Sequence, residues 1–319
     1  MLLALAGSGD AAGFRTPFFV GYFESWSDAG DRPADTELAR VAGYVSILDL
    51  AFMRPDAVYK DGYLLDGTGL EFRYSGRVLL GAVAELRKRH PGTRIMLGVG
   101  GASYLRWDKL DPDAIRRFVQ DFGLDGVDID QEPQDPGCTR RPDDDIACRS
   151  DAALIRSVRV LREALPRPLL LSMAVAHVGA YYPGHWRAEM PPGSRYNGIS
   201  RQPLADPAVR DSLDFINVMG YDAGRNYHPL AAFAAYRELF TGPIAMGVEA
   251  PPEYSGDHVY TLADIDALTA TVRKDGNAGM MIYSLQKAAS PQAGWPDSRT
   301  IAKRICLGLA LGGCDQPLY

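Results

Sequence analysis

The sequence of 319 residues lacks the features that mark several classes of protein. No apolar run approaches the ~18 residues of a membrane-spanning helix, so we expect no membrane partner. No basic stretch is long enough for a nucleic-acid footprint, and the formal net charge is -6, so we expect no nucleic-acid partner. This charge disfavours an anionic substrate only weakly, because an acidic protein can still contain a local basic pocket.

Cofactor motifs and cysteines are also scarce. No G-x-G-x-x-G follows the first apolar run, which argues against a dinucleotide site, and we expect no cofactor and no bound metal. The 4 cysteines lack the C-x-x-C spacing of metal or redox sites. They form two local pairs, Cys138 with Cys148 and Cys306 with Cys314, which we interpret as short-loop disulfides; four unrelated thiols are the alternative. Disulfides imply a secreted or periplasmic protein.

The first residues differ in character from the rest. Residues 1–15 include the stretch MLLALAGSGDAAG, which is apolar and then small and flexible. This fits the tail of a secretory signal, although the apolar part is short and no basic segment precedes it. An artificial or wrongly assigned start fits equally well. We therefore exclude residues 1–15 from the fold and assign residues 16–319 to a single domain.

Short apolar runs alternate with amphipathic helical patterns along the chain. Eight runs read as strands: Phe18–Glu24, Val45–Phe52, Arg94–Val99, Leu124–Asp130, Leu169–Ala176, Phe215–Met219, Ile244–Val248 and Gly279–Ser284. Six helical stripes begin at Leu79, Ile115, Leu154, Phe233, Ile265 and Ile301. Ser150 fits the N-cap of the third helix, and Thr261 with Asp264 fits a capping box on the fifth.

Strands that are nearly all apolar and separated by helices predict a parallel sheet buried on both faces. A closed barrel and an open doubly wound sheet both fit this pattern. The count of eight favours the barrel, so the expected fold class is α/β, a single-domain (β/α)8 TIM barrel.

The fourth strand carries an unusual row of acids, which we name the acid ladder: Asp128, Asp130 and Glu132. Side chains alternate across a strand, so these three share one face, while Val127 and Ile129 share the other. In a barrel, the apolar face packs against the helices and the acid ladder must therefore face the interior.

Three carboxyl groups in a confined interior repel one another and lose hydration, so at least one should keep a proton near neutral pH. The outermost acid, Glu132, would then have a raised pKa and could donate its proton to a leaving group. A two-metal carboxylate site remains an alternative. Asp125 lies on the opposite face of the strand, and we interpret it as structural.

The segment D-G-x-D-x-D-x-E resembles the signature of glycoside hydrolase family 18, the chitinases and related endo-β-N-acetylglucosaminidases. Four further segments resemble motifs of that family: Gly21–Trp26 on the first strand, Leu97–Gly101 on the third, Met219–Asp222 on the sixth and Gly279–Tyr283 on the eighth. The matches occur in the family's order over residues 21 to 283.

This resemblance implies substrate-assisted catalysis. Glu132 would protonate the glycosidic oxygen and later act as the base, while the acetamido oxygen of the substrate attacks the anomeric carbon. Asp130 would stabilise the resulting oxazolinium ion. Asp128 would hold Asp130 and share its proton, and the hydroxyl of Tyr221 would bind the acetamido oxygen.

The resemblance also implies substrate-binding residues: Tyr22, Met219 and Tyr283 as walls and Asp222 as a polar contact. Tyr283 departs from the family, which usually has Trp there, and a smaller ring should weaken stacking on a sugar.

Two further departures lie near the acid ladder. Gly98 replaces a Ser, which puts the hydrogen bonding of Asp128 in doubt. Gln131 replaces an apolar or aromatic residue and is expected to project outward.

Weaker candidates lie on the loops. His177 and His185 follow the fifth strand in a segment that also contains Tyr181, Tyr182 and Trp186, which could form a substrate wall or simply pack. Glu249 follows the seventh strand, either contacting sugar hydroxyls or solvated. The acids at 143–145 read as a solvated loop between two cysteines, with calcium binding as the alternative.

The expected function is hydrolysis of β-1,4-linked N-acetylglucosamine polymers, chitin or chito-oligosaccharides, by an endo-acting monomer with a shallow, open cleft. One alternative is an endo-β-N-acetylglucosaminidase that acts on N-glycans. The other is a non-catalytic chitin-binding barrel.

Overall fold

Eight parallel strands close into a barrel. The structure, a computed structural model, describes residues 15–255, 258–290, 292 and 294–319. The barrel strands are β1 (Phe18–Glu24), β2 (Ile47–Met53), β3 (Arg94–Gly100), β4 (Gly126–Asp130), β7 (Leu170–Ala176), β8 (Phe215–Met219), β9 (Ile244–Glu249) and β10 (Ala278–Tyr283). Hydrogen bonds join them around the barrel in the order β1-β10-β9-β8-β7-β4-β3-β2. Each overlaps one of the eight predicted runs, with ends that differ by up to two residues, so the (β/α)8 TIM barrel is confirmed. The N-terminal segment falls outside the described residues except for Arg15.

All six predicted helices are present, and the structure contains further short elements that the sequence did not predict. The six predicted helices are α1 (Gly76–Arg89), α2 (Pro112–Asp121), α3 (Asp151–Ala164), α6 (Pro229–Leu239), α7 (Leu262–Asp275) and α8 (Ser298–Gly308). Three elements were not predicted: α4 (Arg201–Ala205), α5 (Pro207–Ser212) and a hairpin of β5 (Cys138–Arg140) and β6 (Ile146–Cys148). All are too short for a periodic apolar pattern to emerge.

Two apolar clusters lie on the two faces of the barrel wall. The outer cluster joins strands to helices and includes Val127 and Ile129. The inner cluster fills the barrel and includes Val20 and Tyr22, with Tyr283 packed against it. Because side chains alternate along each strand, the face of β4 opposite Val127 and Ile129 is the interior. The acids of β4 therefore face inward, as the sequence predicted.

Asp125, just before β4, fastens neighbouring elements at the bottom of the barrel. Its carboxylate accepts a hydrogen bond of 2.8 Å from the backbone N–H of Ile95 and one of 2.7 Å from Arg87. Asp214, just before β8, repeats the arrangement with Leu171 and Arg162, at 2.8 and 2.6 Å. These contacts support the structural interpretation of Asp125.

One of the two capping predictions is fully confirmed, and the other is confirmed only in position. Thr261 and Asp264 form a complete capping box at the start of α7. Ser150 occupies the N-cap position of α3, but its side chain makes no capping hydrogen bond.

Both predicted disulfides are present, Cys138–Cys148 and Cys306–Cys314. The first joins β5 to β6, and the second ties α8 to the C-terminal segment. No helix in the described part of the chain is long and apolar enough to span a membrane.

The acidic loop within the hairpin is neutralised by arginines. Asp143 pairs with Arg141, Asp144 with Arg140, and Asp145 with Arg201. Within the described ranges, no group of three or more His, Cys, Asp or Glu residues could hold a metal ion.

Candidate active site

The acid ladder rises from the closed interior of the barrel to its open C-terminal mouth. Asp128 is 0% exposed and Asp130 is 4% exposed, both on β4. Glu132 lies two residues beyond the end of the strand and is half-buried. The three carboxyl groups thus pass from fully buried to accessible at the mouth.

Asp128 is held by donors from three other strands. The hydroxyls of Tyr22 on β1 and Ser172 on β7 each donate to its carboxylate at 2.6 Å, and the amide of Asn217 on β8 donates at 3.0 Å. Burial raises the pKa of Asp128, and these three hydrogen bonds oppose that rise by stabilising the anion.

The doubt over Gly98 is resolved by these contacts, because Asp128 has its donors without a serine on β3. The phenyl ring of Phe52 occupies the neighbouring space. A Cβ atom at Gly98 would lie 3.1 Å from Cδ1 of Phe52. The ring of Phe52 therefore takes up the space that a serine side chain at this position would need.

Asp130 has few polar contacts by comparison. Its Oδ1 atom is buried and has no hydrogen-bond partner in the described part of the chain. Burial is the main reason that the pKa of Asp130 lies well above its usual range, and nearby Glu132 and Asp128 raise it further. A carboxyl group that holds its proton more tightly than usual, and that has a free oxygen, is available to bind a ligand group that enters the mouth.

Asp49 is a fourth acid near the acid ladder that the sequence analysis missed. It lies on β2, pairs in register with Tyr22, and is 0% exposed. Neither of its carboxyl oxygens has a partner among the described residues. Burial, and then the charge of Asp128, raise its pKa well above the usual range. A lone acid inside the apolar run VSILDLAF was the signal that could have revealed it.

Replacing Asp49 by Asn should make the free energy of unfolding less dependent on pH. The pKa of Asp49 is raised in the fold, whereas the unfolded chain releases the proton above a pKa of about 3.9. Wild-type stability therefore falls as pH rises from that value toward the folded pKa, by at most about 1.4 kcal/mol per pH unit for one proton. The amide cannot ionise, so urea unfolding should favour the variant more at pH 7 than at pH 5, by at most about 2.7 kcal/mol. An equal difference at both pH values would mean that Asp49 is ionised in the fold.

Glu132 combines partial burial with a raised proton affinity. Burial, and then the charge of Asp222, raise the pKa of Glu132 to about 7. The adjacent Gln131 lines the same cavity as Glu132 and does not project outward, contrary to the expectation. The strand ends at Asp130, so strict alternation no longer governs the direction of Gln131.

Three tyrosines form an aromatic group beside the acid ladder. Tyr221 stacks on Tyr283 with ring centroids 5.7 Å apart and an interplanar angle of 22°. Tyr22 meets Tyr283 edge-on at 5.9 Å. Tyr22 is only 1% exposed, so it lies beneath the group and supports Asp128, whereas Tyr283 reaches the surface of the mouth.

A cavity of about 240 Å³ opens beside Glu132. Met219, Tyr221 and Asp222 line it from the end of β8, and His177 lines it from the end of β7. Burial raises the pKa of Asp222 and lowers that of His177 to about 4, so the imidazole is neutral.

The other side chains predicted near His177 are placed elsewhere. Tyr181 is buried, Trp186 stacks on it and donates to Glu238, and His185 is exposed. They build the outer part of that loop and do not line the cavity.

Glu249 is the last residue of β9 and is 2% exposed, so a solvated loop acid is the wrong description. The amine of Lys287 donates to its Oε1 atom. Burial raises the pKa of Glu249 to about 7, although Lys287 opposes the rise. From this buried position, the charge of Glu249 raises the pKa of Tyr221.

These residues make up a site that can both give and take a proton. Glu132 can donate a proton at neutral pH and below, and Asp130 can form a hydrogen bond with a polar ligand. Beneath it, the three hydrogen bonds to Asp128 favour the anionic form of that carboxyl group against the effect of burial. Such pairs of acids with separated proton affinities are typical of catalytic acid–base sites.

Comparisons with known proteins agree with the fold. The model of glycosyl hydrolases family 18 matches residues 19–246. A group IV chitinase from Ostrinia furnacalis has a similar structure, with a TM-score of 0.62 at 15% identity, covering 92% of this chain and 99% of that one. Human YKL-39, described as a pseudo-chitinase with retained chitooligosaccharide binding, gives 0.63 at 13% identity over 92% and 99%. A putative chitinase A from Streptomyces coelicolor gives 0.59 at 17% over 91% and 98%. At identities this low, the structural similarity shows a shared fold and no more.

Proposed function

Because the chain belongs to glycosyl hydrolase family 18, we propose that it hydrolyses β-1,4-linked N-acetylglucosamine polymers with retention of configuration. The observation that carries this proposal is the inward acid ladder, topped by Glu132 with its pKa raised to about 7. The fold alone does not carry the proposal, because a barrel can host many reactions and the similar YKL-39 is described as a pseudo-chitinase. The proposal therefore depends on the presence of the acid.

In the first step, Glu132 gives its proton to the glycosidic oxygen, and the bond between that oxygen and the anomeric carbon breaks. The acetamido oxygen of the same sugar bonds to the anomeric carbon and forms an oxazolinium ion. Asp130 carries a negative charge beside this ion after passing its proton to Asp128. The charge of Asp128 is one of the causes that raise the pKa of Asp130, which supports such a shared proton.

In the second step, water attacks the anomeric carbon and gives a proton to Glu132, and the ring opens to restore the acetamide. Two displacements at the same carbon leave the product in the β configuration. Tyr221 supports both steps, because its hydroxyl lies beside the mouth and can bind the acetamido oxygen. Its pKa is raised by burial and by the charge of Asp130, so it stays a donor.

The rate of hydrolysis should fall as pH rises through about 7, because Glu132 must hold a proton to act as the acid. The charge of Asp222 contributes to the raised pKa of Glu132. Replacing Asp222 by Asn should therefore move the alkaline limb of kcat/KM to lower pH. Measuring kcat/KM of both proteins from pH 4 to pH 9 tests this, whatever the absolute activity of the variant. An alkaline limb that stays in place would contradict the assigned electrostatic contact.

Product analysis with chitotetraose and chitohexaose, beside a glycoprotein with N-glycans, tests the substrate. Cleavage of the oligomers, with internal bonds cut first, supports an endo-acting chitinase. Release of glycan without oligomer cleavage would select the endo-β-N-acetylglucosaminidase. Binding of oligomers without turnover of any substrate would select the non-catalytic barrel and contradict the proposed chemistry.

The two disulfides support a location outside the reducing cytoplasm, so we propose a secreted or periplasmic protein. We further propose that residues 16–319 act as one domain and as a monomer. Light scattering after size-exclusion chromatography measures the molecular mass, and a dimer would contradict this part of the proposal.

A further inference from the structure

The cavity beside Glu132 lies on one side of the acid ladder. Its lining includes residues at the ends of β4, β7 and β8 and on the loop that carries Arg195 and Tyr196. Glu132 and Tyr221, which both act on the reacting sugar in the proposed mechanism, also line it. The cavity therefore joins the proposed reaction site to the loop of Arg195.

Arg195 is the cation that lines this cavity. Its guanidinium lies 4.9 Å from the ring centroid of Tyr196, which fixes it by a cation–π contact. Within the described ranges, Arg195 forms no ion pair, whereas Arg140, Arg149 and Arg201 nearby each pair with an aspartate. Its donors are thus available to a ligand.

The acidic groups near Arg195 are engaged elsewhere or hold their protons more tightly than usual. Burial raises the pKa of Glu132 and of Asp222, the two carboxyl groups that line the cavity, and the charge of Asp222 acts on Glu132. His177 is neutral at the same wall. Glu189 on the same loop is engaged with His228 at 2.7 Å. None of these acids forms an ion pair with Arg195 among the described residues.

We propose that Arg195 binds an acidic substituent, a carboxylate, on a sugar of the polymer that is held in this cavity. A guanidinium binds a carboxylate through two parallel hydrogen bonds, which gives both affinity and orientation. The substrate class is then an N-acetylglucosamine polymer in which sugars carry carboxylate groups. This inference rests on the proposed function, because the polymer is the substrate of the proposed reaction.

Two soluble polymers provide a matched test: carboxymethyl chitin, which carries carboxylates, and glycol chitin, which is neutral. The wild type should show a higher kcat/KM on carboxymethyl chitin, and Arg195→Ala should lower the ratio of the two values by about tenfold. Arg195→Lys should restore part of the ratio, because it keeps the charge without the forked geometry. Raised salt should reduce the wild-type preference.

Arg141→Ala is the matched control, because Arg141 is exposed, pairs with Asp143 and does not line the cavity. Its ratio should equal that of the wild type. An unchanged ratio in Arg195→Ala would overturn the inference, and so would an equal loss on both polymers, which would indicate packing by the side chain.

The failure of the proposed function gives a different pattern. If the wild type cleaves neither polymer, affinity electrophoresis with each polymer still tests Arg195. Retention of the wild type by carboxymethyl chitin should be lost in Arg195→Ala, and equal retention of both proteins would overturn the inference.

Discussion

Replacing Glu132 by Gln should lower the kcat of chito-oligosaccharide hydrolysis by about a thousandfold, while the protein remains folded and binds oligomers. The leaving sugar must receive a proton as the glycosidic bond breaks, and an amide cannot supply one. The side chain keeps its size, and it loses only a group whose pKa is held at about 7. Removing an acid with a raised pKa should not destabilise the fold, because Gln needs no proton at neutral pH.

Kinetics with chitotetraose, circular dichroism and calorimetric titration with the same oligomer measure these three properties. Glu163→Gln is the control, since Glu163 is an exposed residue near the end of α3 and does not line the cavity beside Glu132. It should behave as the wild type. Turnover by Glu132→Gln within tenfold of the wild type would remove Glu132 from its assigned role.

Replacing Asp130 by Asn should lower kcat by about a hundredfold to a thousandfold, the range expected when one group that stabilises a charged transition state is lost. The oxazolinium ion is positive, and Asp130 is the acid that can carry a negative charge beside it. Its buried Oδ1 has no other partner in the described part of the chain, so the structure gives it no competing structural role.

Asp49→Asn provides a matched control for this substitution, because Asp49 is equally buried and lies in the same interior. Asp49 does not reach the mouth, so its variant should keep most of the wild-type kcat. If Asp130→Asn and Asp49→Asn lose activity to the same degree, the effect would come from the interior charge as a whole. If Asp130→Asn stays fully active, the substrate-assisted mechanism would fail.

The barrel and the placement of the acid ladder could be predicted because both depend on patterns local in sequence. Eight apolar runs specified the strands, and the alternation of acids with Val127 and Ile129 specified which face of β4 is polar. Inside a closed parallel barrel, these two facts leave only one position for Asp128 and Asp130.

The partners of Asp128 could not be predicted, because they arise from the closure of the barrel. Tyr22, Ser172 and Asn217 are separated from Asp128 by 106, 44 and 89 residues, and only the register of the strands brings them together. A polar residue in an apolar strand marks each position as unusual without naming its partner. Asp49 is the extreme case, since its pairing with Tyr22 depends on the register of β1 and β2.

The positions of side chains at the strand ends could not be predicted from the sequence patterns either. Glu249 was described as a mouth or loop acid, but β9 extends to include it and the distant Lys287 neutralises it. The direction of Gln131 depends on where β4 ends. In both cases, a shift of one or two residues at a strand end decides whether a side chain is buried or solvated.

A crystal structure of Glu132→Gln with chitotetraose tests the central claim most directly. The account predicts that one acetamido group points into the barrel, with its nitrogen within hydrogen-bond distance of Asp130 and its oxygen near the hydroxyl of Tyr221. The glycosidic oxygen of that sugar should lie against the amide at position 132. An oligomer bound with its acetamido groups directed away from β4, or bound outside the mouth, would contradict it.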